Sequence, residues 1–90
     1  LSRSPDKAGV LKIVQSLAKP YPQLAEAHFA VAQAAWSANQ DDLALQALNK
    51  AESLKPGWHV AALFKGQVLF GKSPKEAISY YQNFLSKHPD

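Results

Sequence analysis

The feature that most constrains the fold of this chain is a pattern that occurs three times in its 90 residues. In each copy an alanine or valine is followed four positions later by a large apolar residue, and eight positions after that by proline. The copies begin at Val10, Ala44 and Ala77, which gives a nearly constant period. A period of this length is typical of stacked helix pairs, in which each unit buries its apolar face against its neighbours. The sequence therefore predicts an array of helical hairpins.

Composition agrees with a helical fold and excludes several other classes of protein. The apolar fraction of 47% is ordinary for a folded domain, and a chain of 90 residues suits one domain. Alanine, leucine, lysine and glutamine are good helix formers, whereas threonine is absent and no apolar–polar alternation predicts a strand. Cysteine is also absent, which excludes disulfide bonds and thiolate metal sites. We therefore expect a single all-α domain over residues 1–90.

Five helices are predicted from the spacing of apolar residues and from the signals that stop a helix. Proline-containing segments at 20–22 and 55–57 and the polar segments 39–42 and 71–76 separate them, and the chain ends in His-Pro-Asp. The expected helices cover about residues 5–18, 24–38, 42–54, 58–70 and 74–87. The residues that suit the starts of these helices are Ser4 and Pro5 for the first, Asn39 or Asp41 for the third, and Ser73 and Glu76 as a capping box with Pro74 for the fifth.

The repeat resembles the tetratricopeptide repeat, a helix–turn–helix unit of about 34 residues. That family has Ala-x3-Phe followed by proline in its second helix, and Trp-x2-Leu-Gly-x2-Tyr in its first. The second-helix signature is matched by Ala44, Leu48, Ala51 and Pro56 and again by Ala77, Tyr81, Phe84 and Pro89. The first-helix signature is matched less fully, by Val31-Ala32 and by Gly66, and Lys65 stands where leucine is usual.

The resemblance implies an all-α architecture of about five helices, with antiparallel helix pairs stacked as a right-handed superhelical solenoid. Residues 5–22 would be the second helix of a partial repeat, and residues 23–56 and 57–90 would be two whole repeats. Such a fragment of a longer array implies a non-catalytic scaffold for protein–protein interaction. In this family the first helices of successive repeats line a concave groove that binds a peptide segment of a partner.

The groove residues follow from the resemblance by repeat position. In the first whole repeat they are Glu26, Phe29, Gln33, Trp36 and Ser37, and in the second they are Val60, Leu63, Gln67, Phe70 and Gly71. Some family members grip a terminal carboxylate with lysine and asparagine in this groove, but neither residue type occurs at these positions. The resemblance therefore implies an apolar, extended or helical partner segment rather than a C-terminal carboxylate.

The spacing of these residues gives the groove a physical interpretation. Phe29, Gln33 and Trp36 share one helix face, and the same apolar–amide–apolar set recurs one repeat later. A large side chain contributes about 1.5–3 kcal/mol when it is fully buried, and a glutamine amide can both donate to and accept from a peptide backbone. The alternative is that these apolar residues belong partly to the core and partly to ordinary repeat surface.

The last predicted helix carries an apolar face close to the point where the sequence stops. We expect this face to pack on a further helix of a longer array or on another copy of the chain. The residues of this face are Ile78, Tyr81, Phe84 and Leu85.

Catalytic, metal and nucleic-acid sites are not indicated. His28, His59 and His88 lie far apart in the repeat plan, and the pair Asp41-Asp42 fits a turn. The ten Lys and Arg residues, which give a net charge of +3, are scattered rather than clustered, so we expect no nucleic-acid partner. No apolar run approaches the roughly 20 residues of a membrane span. We therefore expect no cofactor, no enzymatic activity and no membrane insertion; the alternative function is a helical regulatory or assembly module attached to an enzyme whose catalytic part lies outside this chain.

Overall fold

A computed structural model describes residues 6–88, and all regular structure in this range is helical. The predictions of an all-α fold and of five helices are confirmed for these residues. The expected start at Ser4 and Pro5 lies outside the described residues. The helices are α1 (Lys7–Ala18), α2 (Ala25–Ser37), α3 (Asp41–Leu54), α4 (His59–Lys72) and α5 (Pro74–Lys87).

The junction between α4 and α5 is shorter than the sequence predicted. Gly71 and Lys72 were expected in the turn, but they continue α4, so that Ser73 alone separates the two helices. The reason is that Ser73 still donates its backbone N–H to the carbonyl of Leu69, at 2.6 Å. Only the residue directly before Pro74 must leave the helical conformation, and Ser73 does so with φ −156° and ψ 104°.

The predicted caps are only partly correct. Pro74 does occupy the first position of α5, and Ser73 precedes it, but the Ser73 hydroxyl makes no capping hydrogen bond. The N-cap of α3 is Gln40 rather than Asn39 or Asp41. Asn39 instead ends α2 in the left-handed region at φ 62°, which asparagine tolerates better than most residues.

Small residues on the facing sides of α2 and α3 let these two helices approach closely. Ala32, Ala35, Ala44 and Ala51 have no exposed surface, and Leu48 is equally buried between them. Close packing of this kind gains dispersion contacts without the loss of side-chain rotamers that larger residues would suffer. The buried cluster extends from α1 to α4 and comprises Leu11, Ala32, Ala35, Ala44, Ala47, Leu48, Ala61 and Val68.

Each helix packs principally on its neighbours in the sequence, so the chain extends to 47 × 29 × 19 Å. Two contacts show that α3 and α4 run in opposite directions. Lys65 reaches back to Asn49, whereas Lys72, later in α4, reaches Asp42, earlier in α3. Within residues 6–88, every helix is too short or too polar to cross a lipid bilayer.

Candidate functional site

Phe64 of α4 holds the two aromatic residues that the groove prediction placed on α2. Its ring centre lies 5.5 Å from that of Phe29 and 5.0 Å from that of Trp36, both in edge-to-face geometry. Trp58, at the N-cap of α4, adds a third contact at 5.1 Å from Phe29. Aromatic pairs of this geometry stabilise packing by about 0.5–1.5 kcal/mol beyond the area that they bury. Phe29 and Trp36 therefore join α2 to α4, and Trp36 keeps 39% of its surface exposed.

The amide residues predicted for the groove lie beside this aromatic cluster and are exposed. Gln33 of α2 and Gln67 of α4 are both open to solvent. Glu26 is also exposed, and it accepts a hydrogen bond from Lys55 at 3.2 Å. Hydrogen bonding to its own backbone amide and then to Lys55 holds the pKa of the Glu26 carboxyl below its usual range. These exposed side chains can thus accept and donate hydrogen bonds.

The apolar members of the predicted groove on α4 are strongly exposed. Leu63 has 59% of its surface exposed, Phe70 has 60%, and Val60, at the start of the helix, has 54%. Single exposed apolar residues are normal on a protein surface, but several on one short helix are typical of an interaction surface. The structure therefore separates the predicted set into Phe29 and Trp36, which pack on α4, and Leu63 and Phe70, which remain exposed.

An apolar cleft that the sequence did not indicate lies next to Gln33. It occupies about 450 Å³ between α1 and α2. Ala30 and Ala34 contribute small side chains to it, and Val10 and Val14 line it from α1. The alanines on this side of α2 were the available signal, because a residue without a long side chain leaves room beside its helix.

Lys65 organises a polar cluster between three helices. Its Nζ donates to Oδ1 of Asn49 at 2.6 Å and to Oε1 of Glu52 at 2.9 Å, both on α3. The same ammonium lies 4.7 Å from the ring centre of Tyr80 on α5, and the Tyr80 hydroxyl donates to the other oxygen of Glu52. Only 16% of the Lys65 side chain is exposed. Lys65 thus joins α3, α4 and α5 through ionic and cation–π contacts.

We expect Lys65→Met to lower the free energy of unfolding by about 1–3 kcal/mol, because it leaves the partly buried Glu52 carboxylate without its cation. Urea unfolding followed by circular dichroism measures the change. The matched control is Lys72→Met, which removes a lysine whose partner, Asp42, has 87% of its side chain exposed. Exposed pairs contribute at most about 1 kcal/mol, so equal losses for the two variants would contradict the assignment.

We expect Tyr80 to make the free energy of unfolding decrease at alkaline pH. Burial, followed by the hydrogen bond to Glu52, raises the pKa of the Tyr80 phenol well above its usual value. The folded chain therefore keeps this proton at a pH where the unfolded chain releases it. By linkage, the stabilisation is complete below a pH of about 10 and is lost as the pH rises further.

The measurement is the free energy of unfolding between about pH 9 and 11, compared with that of Tyr80→Phe. The variant should lose stability less steeply because it has no phenol to ionise at this position. Tyr21→Phe, at an exposed tyrosine, should keep the slope of the unmodified chain. Identical slopes for all three proteins would show that Tyr80 is not the responsible group.

Two of the three histidines, His59 and His88, lie closer to each other than the repeat plan predicted. The rings of His59 and His88 both contact Phe84, at 5.0 and 5.1 Å between centres, because the start of α4 and the end of α5 meet there. His28 lies elsewhere and bonds the carbonyl of Pro22 at 2.9 Å, which ties the segment before α2 to that helix. Within residues 6–88, no three potential ligands among His, Asp and Glu converge on a common metal position.

Comparison of the chain with protein-family models, with curated proteins and with solved structures found no match.

Proposed function

We propose that this protein is a non-catalytic scaffold for protein–protein interaction, built as a tetratricopeptide-like solenoid. Two structural facts support the repeat interpretation. Two pairs of small residues at equivalent positions have equivalent burial, since Ala44 and Ala77 are both fully buried and Ala32 and Gly66 both lie in the interior. Each helix also packs principally on its neighbours in the sequence, as stacked hairpins require.

The observation that carries the functional proposal is the exposed apolar and amide surface on α2 and α4. Gln33 and Gln67 lie on it with the apolar residues Val60, Leu63 and Phe70, of which more than half the surface is exposed. Apolar area next to hydrogen-bonding amides suits the main chain and side chains of a peptide. The proposed partner is therefore an apolar, extended or helical segment of another protein, and the cleft beside Ala30 and Ala34 would accept one of its side chains.

Peptide selection followed by variants tests the proposal. Peptides selected from a random displayed library against the full chain should bind Gln33→Ala/Gln67→Ala about tenfold or more weakly, because each lost hydrogen bond contributes about 0.5–1.5 kcal/mol. The thermal midpoint should not change, since both amides are exposed. Gln15→Ala/Gln46→Ala, at two exposed glutamines of α1 and α3, is the matched control and should bind as the unmodified chain does. Equal affinity of all three proteins, or unfolding of the first variant, would refute this surface as the binding site.

A further inference from the structure

One edge of the molecule, formed by α4 and α5, exposes large apolar side chains from both helices. We call these four residues the open edge: Leu63 at 59%, Phe70 at 60%, Ile78 at 54% and Leu85 at 52% exposed. Tyr81 lies between the two helices and joins them, since its hydroxyl donates to the carbonyl of Leu63 at 2.9 Å. The two helices therefore present their exposed apolar residues as parts of one packed unit.

The repeat period relates each residue of the open edge to one that contacts α4 or the buried cluster. Leu63 and Phe70 lie one repeat after their counterparts on α2, and Ile78 and Leu85 lie one repeat after theirs on α3. The counterparts are Phe29, Trp36, Leu45 and Glu52. Three of these four contact α4, and Leu45 is half-buried against the core cluster. The open edge is thus the place where a helix equivalent to α4 would pack on α4 and α5.

The contacts that α4 makes with α2 and α3 indicate which contacts such a helix would make with α4 and α5. Phe64 packs on the aromatic pair of α2. The next residue, Lys65, pairs with Glu52 at 2.9 Å, and Lys72, seven positions further, pairs with Asp42 at 2.5 Å. The two aromatic contacts of Phe64 therefore position α4 on α2, and the two ion pairs position it on α3.

The open edge differs from the surface that α4 covers at the two positions where α3 has an acidic residue. Leu85 and Lys75 of α5 stand where α3, one repeat earlier, has Glu52 and Asp42 respectively. An incoming helix would therefore need an apolar residue in place of Lys65, to bury Leu85. It would also need a carboxylate in place of Lys72, because Lys75 is exposed and carries a positive charge. Complementary charges of this kind select the partner and its register more than they add affinity.

We propose that the open edge binds an amphipathic helix of a separate protein, in which two adjacent apolar residues are followed, seven positions after the second, by aspartate or glutamate. The proposal deepens the interaction function proposed above, because Leu63 and Phe70 belong to both surfaces. Its own residues are Ile78, Leu85 and Lys75, which lie on α5. Binding would follow the helix-in-groove mode, with apolar anchors on one helix face.

A second copy of this chain does not have the required chemistry. It could offer its own open edge, whose four residues include no carboxylate, or the flank of α1, where Val10, Ile13 and Leu17 are 43%, 60% and 67% exposed. α1 contains two lysines and no acidic residue between its first and last positions. Neither flank therefore offers Lys75 the carboxylate that the site requires.

The probe for this proposal is a synthetic peptide with the sequence of residues 58–72 that carries Lys65→Leu and Lys72→Glu. Its control carries Lys65→Leu alone and so keeps the lysine that would oppose Lys75. Both are labelled and titrated with the full chain, and binding is followed by fluorescence anisotropy. We expect the probe to bind about two- to fivefold more tightly than the control, the range that an exposed ion pair gives. Lys75→Glu in the protein should reverse this preference.

Variants of the protein separate the open edge from the surface tested above. Ile78→Ser/Leu85→Ser should weaken probe binding about tenfold or more without unfolding the chain, since both side chains are more than half exposed. Gln33→Ala, which lies on α2 and outside the open edge, should leave probe binding unchanged. If library peptides ignore Gln33→Ala/Gln67→Ala while the probe responds to the α5 variant, the α2–α4 surface is wrong and the open edge stands.

Four results would overturn the proposal. The first is no probe binding at concentrations up to about 1 mM, and the second is equal affinity for probe and control. The third is unchanged probe binding by Ile78→Ser/Leu85→Ser. The fourth is a dimer in sedimentation equilibrium that this same variant dissociates, because the edge would then be covered by a second copy.

Discussion

Gly66→Ala is expected to lower the free energy of unfolding by about 3 kcal/mol or more, at or above the upper end of the usual penalty for overpacking a core. A Cβ at this position would overlap Cζ and the hydroxyl oxygen of Tyr81. The Tyr81 ring, or α5 together with it, would therefore have to move away from Gly66. The same movement would break the hydrogen bond from Tyr81 to the carbonyl of Leu63.

Gly71→Ala is the matched control, because it lies in the same helix and a Cβ there would meet nothing within 4 Å. Alanine is the better helix former, so this variant should gain about 0.5–1 kcal/mol. In a Tyr81→Ala background, Gly66→Ala should become neutral or stabilising, since the obstructing ring is gone. Chemical unfolding of the unmodified chain and of the four variants, including Tyr81→Ala alone, measures these differences. If Gly66→Ala and Gly71→Ala had the same effect in the unmodified chain, the packing of α5 on α4 would be incorrect.

Leu48→Ala has the second of the two largest expected effects. Leu48 has no exposed surface and belongs to the cluster shared by α1, α2, α3 and α4. Truncating a buried leucine removes its transfer free energy and leaves a cavity, a loss of about 2–5 kcal/mol. Small domains have total stabilities near the lower end of about 5–15 kcal/mol. We therefore expect a chain that is largely unfolded at moderate temperature, which a circular dichroism melt would detect.

Leu63→Ala provides the control with identical chemistry on the surface. Leu63 has 59% of its surface exposed, so the substitution should change the free energy of unfolding by less than about 0.5 kcal/mol. Thermal melts of the two leucine variants therefore separate core from surface directly. A larger loss for Leu63→Ala than for Leu48→Ala would mean that the core has been assigned to the wrong side of the helices.

The helices could be predicted from the sequence because their signals are local. Proline at 20 and 22, at 56 and at 74 limits each helix through the backbone alone, whatever packs around it. The same local effect of proline explains why two residues at the end of α4 were wrongly predicted to lie in the turn. Gly71 and Lys72 look like turn residues, yet proline constrains only Ser73 directly before it.

The faces that contact a neighbouring helix could not be predicted, because they depend on which helices are present. Phe29 and Trp36 have the same spacing as Leu63 and Phe70, and sequence reasoning gave both pairs one role. The first pair packs on Phe64 because α4 follows it, whereas among the described residues no helix lies beside the second pair. Periodicity identifies a face, but only the tertiary arrangement decides what covers it.

The expected apolar face of α5 shows the same limit. Of its four residues, Ile78 and Leu85 are exposed, but Phe84 is only 9% exposed and Tyr81 packs on Gly66, so the expectation was wrong for these two. Phe84 is buried because it faces the ring of His59 at the start of α4. Phe84 and Leu85 are thus neighbours in the sequence, yet Phe84 is buried against α4 and Leu85 is exposed.

The most direct test of the interaction proposal is the map of backbone amide shifts in the ¹⁵N spectrum when a library-selected peptide is added to the full chain. We expect the shifted amides to cluster in residues 26–37 of α2 and 60–71 of α4, with small changes along α3. Shifts concentrated on residues 42–53 of α3, with α2 and α4 unchanged, would contradict the proposed binding surface.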